Sequence, residues 1–98
     1  MPRPPHIERL VWDDWNCSHL TKHEVLPEEA EEVVAGEPAS RETYKSRLLV
    51  VGPTTSGRML AIVIGPVPEQ RGRYYVFSAR PASRKERAAY TQQKGGSP

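Results

Sequence analysis

Several common kinds of functional site cannot be built from this sequence. There is one cysteine, Cys17, which excludes an intrachain disulfide and any multi-cysteine metal centre. Its ordinary role is that of a small, buried or half-buried helix residue rather than a reactive thiol. No apolar run approaches the ~20 residues that cross a bilayer, and the N-terminus lacks the apolar segment of a signal peptide. The chain is therefore expected to be cytoplasmic, with no membrane partner. No phosphate-cradling glycine loop, serine-nucleophile signature or dinucleotide fingerprint is present. With 98 residues there is too little apolar material for two cores, which predicts one domain over 1–98 with an ordered core over 7–92. Pro2, Pro4 and Pro5 at one end and the Gly/Ser-rich stretch from Lys94 to Pro98 at the other are expected to be loose.

Apolar residues make up 37% of the chain and charged ones 27%, and the apolar ones cluster, as in a folded domain. The net charge of +2 conceals two halves of opposite sign. Residues 1–40 carry three basic and nine acidic side chains (−6), and residues 41–98 carry eleven basic and three acidic ones (+8). Arginine outnumbers lysine in the second half, which suits bidentate contact with the phosphates of a polyanion. An acidic helix complementing a basic sheet, or basic strand edges that resist aggregation, would also produce such a pattern.

Ile7 to Trp12 reads as a first strand or an extended lead-in. Asp13 or Asp14 can cap a helix that ends near Glu24 and places Asn16, Leu20 and His23 on one face. Pro27, with glutamates at 28, 29, 31 and 32, opens a second helix that Gly36 ends; the acidic first turn is explained by capping and solvation. From residue 41 the pattern becomes that of a sheet. Arg47–Gly52 and Met59–Ile64 are continuous apolar strands joined by a turn, and Tyr74–Ala79 is a third. Ser83 and Glu86 form a capping box for a last helix. The expected fold is α+β: two N-terminal helices, an antiparallel sheet of three to four strands, and a C-terminal helix.

Two clusters carry candidate chemistry. Lys22-His23 ends the first helix, where an imidazole titrating near neutrality beside a cation suits acid–base work on RNA. As a bare dipeptide it specifies no geometry and reads equally as a surface lysine beside a packed histidine. The second cluster is Arg47, Arg58, Arg73 and Arg80, brought together if their strands are neighbours. RNA cleavage by attack of the ribose 2′-hydroxyl on its own phosphate needs only proton transfer and charge stabilisation, which histidine, lysine and arginine supply without a cofactor. Tyr44, Tyr74, Tyr75 and Tyr90 offer stacking surfaces, although tyrosines in strands more often serve packing. His19 and His23 lie four apart on the helix with Cys17 near, but position 20 is leucine where the helical metalloprotease motif has glutamate, and Cys17 falls on another face. No metal site is expected.

The order of these motifs resembles the BrnT-like toxins of bacterial toxin–antitoxin pairs. Trp12-Asp13, Asn16, Lys22-His23, Val25 and Glu29-Ala30 resemble the family's opening helices, and Arg47 to Gly52 its strand with a leading arginine and closing glycine. Ser78-Ala79-Arg80, then Ala82, Glu86, Arg87 and Tyr90, resemble its closing segment. The resemblance implies a RelE-like ribonuclease fold and a metal-independent endoribonuclease, a hydrolase of RNA. It also implies neutralisation by a cognate ribbon-helix-helix antitoxin and assembly as a homodimer or a toxin–antitoxin hetero-oligomer. Carried over, the catalytic candidates are Lys22, His23, Arg47 and Arg80; with the arginine cluster and the motif residues around it, the RNA-binding candidates are Arg58, Arg73, Tyr75, Ser78, Glu86 and Arg87. Glu86 then either orients an arginine or only caps its helix. Two positions depart from the family pattern. Glu24 stands where many members have glycine, which lengthens the helix or adds a carboxylate beside His23. Tyr75 stands where many have arginine, a phosphate ligand that Arg73, on the same strand face, replaces in part. The alternative reading is a non-catalytic module of the same fold that docks an antitoxin-like protein or nucleic acid.

Overall fold

The computed structural model describes residues 7–95, so Pro2, Pro4, Pro5 and the last three residues of the expected loose ends fall outside the described residues. The elements follow the order β1 (Arg9–Val11), α1 (Asp14–Lys22), α2 (Pro27–Ala35), β2 (Ala39–Thr43), a 3₁₀ turn at Tyr44–Ser46, β3 (Arg47–Pro53), β4 (Met59–Pro66), β5 (Arg73–Pro81) and α3 (Arg84–Gly95). The expected loose tail is in part helical, because α3 continues through Lys94 and Gly95.

All five strands form one sheet in the order β1-β5-β4-β3-β2. The expectation of three to four antiparallel strands is corrected: β1 pairs in parallel with β5, and β2 adds an edge that has no apolar run to betray it. Its sequence, ASRET, buries only Ala39 and is held by its pairing with β3.

The sheet has two faces, and the alternation of each strand divides the apolar residues between them. On one face Leu48, Val50, Leu60, Ile62, Ile64, Val76 and Ala79 meet Leu20, Ala30 and Val33 from the two N-terminal helices and Val25 from the connection between them. On the other, Leu49, Val51 and Ala61 meet Ala82 and Tyr90, so α3 covers only part of it. Fully burying the side chain of Leu20, Leu60, Ile62 or Ile64 contributes about 1.5–3 kcal/mol, which makes the first face the main source of stability.

A bulge interrupts β5. Val63 pairs with Ser78 and Ile64 with Val76, leaving Phe77 as an extra residue. Before it, Val76 points into the main core. After it, Ala79 does so, and Arg80, opposite Ala61, lies on the α3 face together with Arg47, which shares the parity of Leu49 and Val51.

Asp13 caps α1: its carboxylate accepts from the Asn16 N–H at 2.9 Å, and the Asn16 side chain returns the bond at 2.8 Å. The helix ends as the Val25 and His23 N–H groups both bond to the Leu20 carbonyl, with Glu24 in the left-handed region at φ 60°. The expected lengthening by Glu24 does not occur. This position asks for glycine and holds an L-residue under strain. The glutamates of α2 do more than solvate it. Glu29 accepts from Arg58, Glu31 from the Trp12 indole N–H, and Glu32 from the Thr55 backbone N–H and hydroxyl.

Candidate functional site

The sheet separates the charges that the sequence places in its two halves. The glutamates of α2 lie on the main-core side, whereas Arg41, Arg47 and Arg80 of the strands and Arg84, Lys85 and Arg87 of α3 belong to the other side. Facing same-sign arginines outward beyond a thin apolar layer concentrates positive potential on that side.

Within it lies a cleft of about 440 Å³ lined by Trp15, Thr43, Tyr44, Arg47, Val63, Phe77 and Ser78. Gly65 lies beneath the Phe77 ring. A Cβ there would stand 2.8 Å from the Phe77 ring, so the missing side chain is what lets the ring lie down on β4. The Arg47 guanidinium then stacks on that ring, its carbon 3.7 Å from the centroid, and the Tyr75 ring meets Phe77 edge-on at 5.1 Å. Tyr75 is anchored in turn, its hydroxyl donating to both oxygens of Asp13 at 3.0 and 2.9 Å. The Asn16 backbone N–H and this hydroxyl together hold the Asp13 carboxyl below the usual carboxylate range, while burial and the same contact raise the Tyr75 hydroxyl.

From the other wall, Trp15 stacks on His19 at 5.0 Å with the rings 7° from parallel, and His19 meets His23 edge-on at 5.4 Å. These three side chains follow one another at i, i+4 and i+8 along α1. The β2–β3 connection supplies Tyr44 and Arg47 on either side of Lys45 and Ser46, both left-handed at φ 63° and 61°. The strands pair up to Thr43 and Arg47, so the connection is a three-residue loop, and its two positive-φ positions would ordinarily call for Gly or Asn.

The predicted site residues are thus distributed rather than convergent. Arg47 and Ser78 line the cleft. Tyr75 supports it from behind, and Arg73, two residues earlier on the same face, bonds to Gln70 at 3.3 Å. Lys22 and His23 lie at the opposite end of α1 from Trp15, about 12 Å along the helix axis at ~1.5 Å per residue. Arg80 shares Arg47's face but stands about 13 Å away along the strands and about 10 Å across them, from the pairing register. Its guanidinium forms a bidentate pair with Glu86, both contacts 2.8 Å. That pair, with the Ser83 backbone N–H, holds the Glu86 carboxyl down at about 2, so Glu86 both orients Arg80 and caps α3. Arg87 lies exposed on α3. Arg58 belongs to the main-core side, where it ties the β3–β4 hairpin to the helices by donating to the Glu24 carbonyl at 2.7 Å and to Glu29 at 3.1 Å.

Trp15, Tyr44 and Phe77 complete the cleft, with His19 stacked behind Trp15; the sequence offered Tyr44 as a stacking surface and weighed His19 only as a metal ligand, and it singled out neither Trp15 nor Phe77. The i, i+4, i+8 spacing of one tryptophan and two histidines was the available signal. Phe77 had none, because its position depends on the bulge. Among the described residues no group of three or more His, Cys, Asp or Glu side chains converges on a metal-sized space. No helix among them is long and apolar enough to cross a membrane. No protein-family model matches the chain, and no curated protein matches it.

Proposed function

We propose that the chain is a toxin-like endoribonuclease with a RelE-like fold, paired with an antitoxin, and that it cleaves RNA by internal attack of a ribose 2′-hydroxyl. The observation that carries this reading is Arg47: a guanidinium fixed on an aromatic ring in an open cleft, with no carboxylate partner among the described residues. A cation so placed is available to a phosphate, whereas Arg58 and Arg80 are already paired with glutamates.

In the proposed reaction the 2′-oxygen bonds to phosphorus as the phosphorus–5′-oxygen bond breaks. The 2′-hydroxyl proton passes to a base, and the departing 5′-oxygen takes a proton from an acid. Arg47 stabilises charge on the non-bridging oxygens. His19, whose ring stacks on the cleft wall at Trp15, is better placed than His23 for one of the proton transfers; His23 stands one stacking step further along α1. Lys22 and Arg80 stand outside the cleft, and Arg80 is held by Glu86.

A second reading, a binding module without catalysis, is favoured by a specific observation. The bidentate Arg80–Glu86 pair and the distance of Lys22 and His23 from Arg47 leave only one of the four expected catalytic residues in the cleft.

Purified protein incubated with bulk RNA in excess chelator separates the two. Cleavage leaving cyclic or 3′-phosphate ends, lost with Arg47→Ala and reduced with His19→Ala, is the expected result. Intact RNA with retained binding selects the module.

A further inference from the structure

Three large apolar side chains stand out as exposed among the described residues: Trp15 at 58%, Leu26 at 57% and Tyr44 at 72%. Two of the three line the cleft that holds Arg47. Holding Trp15 and Tyr44 in water contributes little to folding, and the turn that presents Tyr44 does so through two left-handed L-residues. Backbone strain beside a ligand-sized concavity is the pattern of a binding site rather than of a stabilising contact.

We infer that the cleft is a subsite for one unpaired nucleobase, stacked on Trp15 and Tyr44 with the adjoining phosphate on Arg47. The inference rests on the RNA reading above and specifies its substrate: a single strand, since a base within a duplex has no free face to offer. The volume of about 440 Å³ falls within the ~300–1,000 Å³ range of small-ligand sites. The unpaired cation selects the occupant. An apolar side chain from a protein partner would bury the Arg47 guanidinium without a counter-charge, whereas a nucleotide brings both an aromatic plane and an anion. The polar side chains of the lining other than Arg47 are the Tyr44 phenol, the Trp15 indole N–H and the hydroxyls of Thr43 and Ser78; the three hydroxyl groups can each donate or accept, so the subsite accommodates any base without a strong preference.

The test uses strands that cannot be cleaved. A 2′-O-methyl single strand, the same strand in a duplex, and an abasic strand with the same phosphates are titrated into the full chain while tryptophan fluorescence is followed. The single strand is expected to quench Trp15 and to bind about tenfold or more tightly than the abasic strand. Trp15→Ala, whose binding is read from the anisotropy of a labelled strand since it lacks the quenched tryptophan, and Tyr44→Ala are each expected to weaken it by about the same factor, with unchanged far-ultraviolet circular dichroism because both side chains are exposed. Equal binding of duplex, abasic and single strands overturns the inference, as does unchanged affinity in both variants. No binding to any strand also overturns it and leaves a protein as the occupant of the cleft. Catalysis is scored separately on an all-ribose strand. Stacking without cleavage removes the nuclease reading alone, and cleavage that survives both substitutions removes the stacking subsite alone.

Discussion

The Arg47 guanidinium carbon sits 3.7 Å from the centroid of the Phe77 ring, and the ring itself occupies the space that a side chain at Gly65 would fill. Position 65 is therefore a lever on the arginine. Gly65→Ala is expected to lift the ring and displace Arg47, costing about 1–3 kcal/mol of stability as overpacking does. RNA affinity should fall together with the loss of the Arg47 Nε signal shift that ring stacking causes in an NMR spectrum. A variant that keeps that shift would show that the ring slides aside without carrying Arg47 with it.

Glu24 adopts the left-handed conformation that closes α1, with its carbonyl held by Arg58. Glu24→Gly relieves ~1–2 kcal/mol of backbone strain and adds ~0.5–1 kcal/mol of unfolded-chain entropy, a net gain of about 0.5–1 kcal/mol. Thermal unfolding should rise by about 2–8 °C for a chain of this size. A lowered midpoint would mean that the carboxylate itself stabilises the helix end.

The pairing of Glu86 with Arg80 sets an acid limit. The folded-state pKa, about 2, lies below the ordinary carboxylate value of 4.5, so the stabilisation is complete above 4.5 and is lost as the pH falls towards 2. Arg80 is 47% exposed, and after allowing for that solvent screening the contribution is about 1–2 kcal/mol. Denaturant titrations of wild type and Glu86→Gln at pH 7 and pH 2.5 should differ at the first and nearly coincide at the second. A constant difference across that range would place the effect in packing rather than charge.

Tyr75 is the second of the groups that lower the Asp13 carboxyl, after the Asn16 backbone N–H. Tyr75→Phe should move the Asp13 titration upward in a carbon-detected NMR experiment and speed hydrogen exchange at the start of α1. Tyr75→Arg should leave it low, because a guanidinium at that place meets the same carboxylate and is not freed for phosphate.

Much of this architecture was legible because its signals are local. Asp13 and Ser83-Glu86 cap helices through bonds within four residues, and the runs Leu48–Val51 and Leu60–Ile64 are apolar enough to announce buried strands. What escaped depends on contacts distant in sequence. The first strand was expected within Ile7–Trp12, but not its parallel place beside Arg73–Tyr75, and Ala39–Thr43 becomes a strand only by pairing with β3. The arginines illustrate the same limit. Nothing near Arg58 in sequence shows that its partners are Glu24 and Glu29, and nothing near Arg47 shows that it has a phenylalanine instead.

The unpaired residue in β5 has a consequence of its own. Strand alternation is a two-beat rhythm, and Phe77 adds a single beat that is not cancelled before the strand ends. Everything downstream is out of phase with what precedes it: Arg80 would otherwise share the side of Val76, its charge pressed into the main core, and α3 would leave the sheet from the wrong side. That Arg80 and the basic residues of α3 join Arg41 and Arg47 on one side of the molecule therefore turns on a single extra residue in one strand.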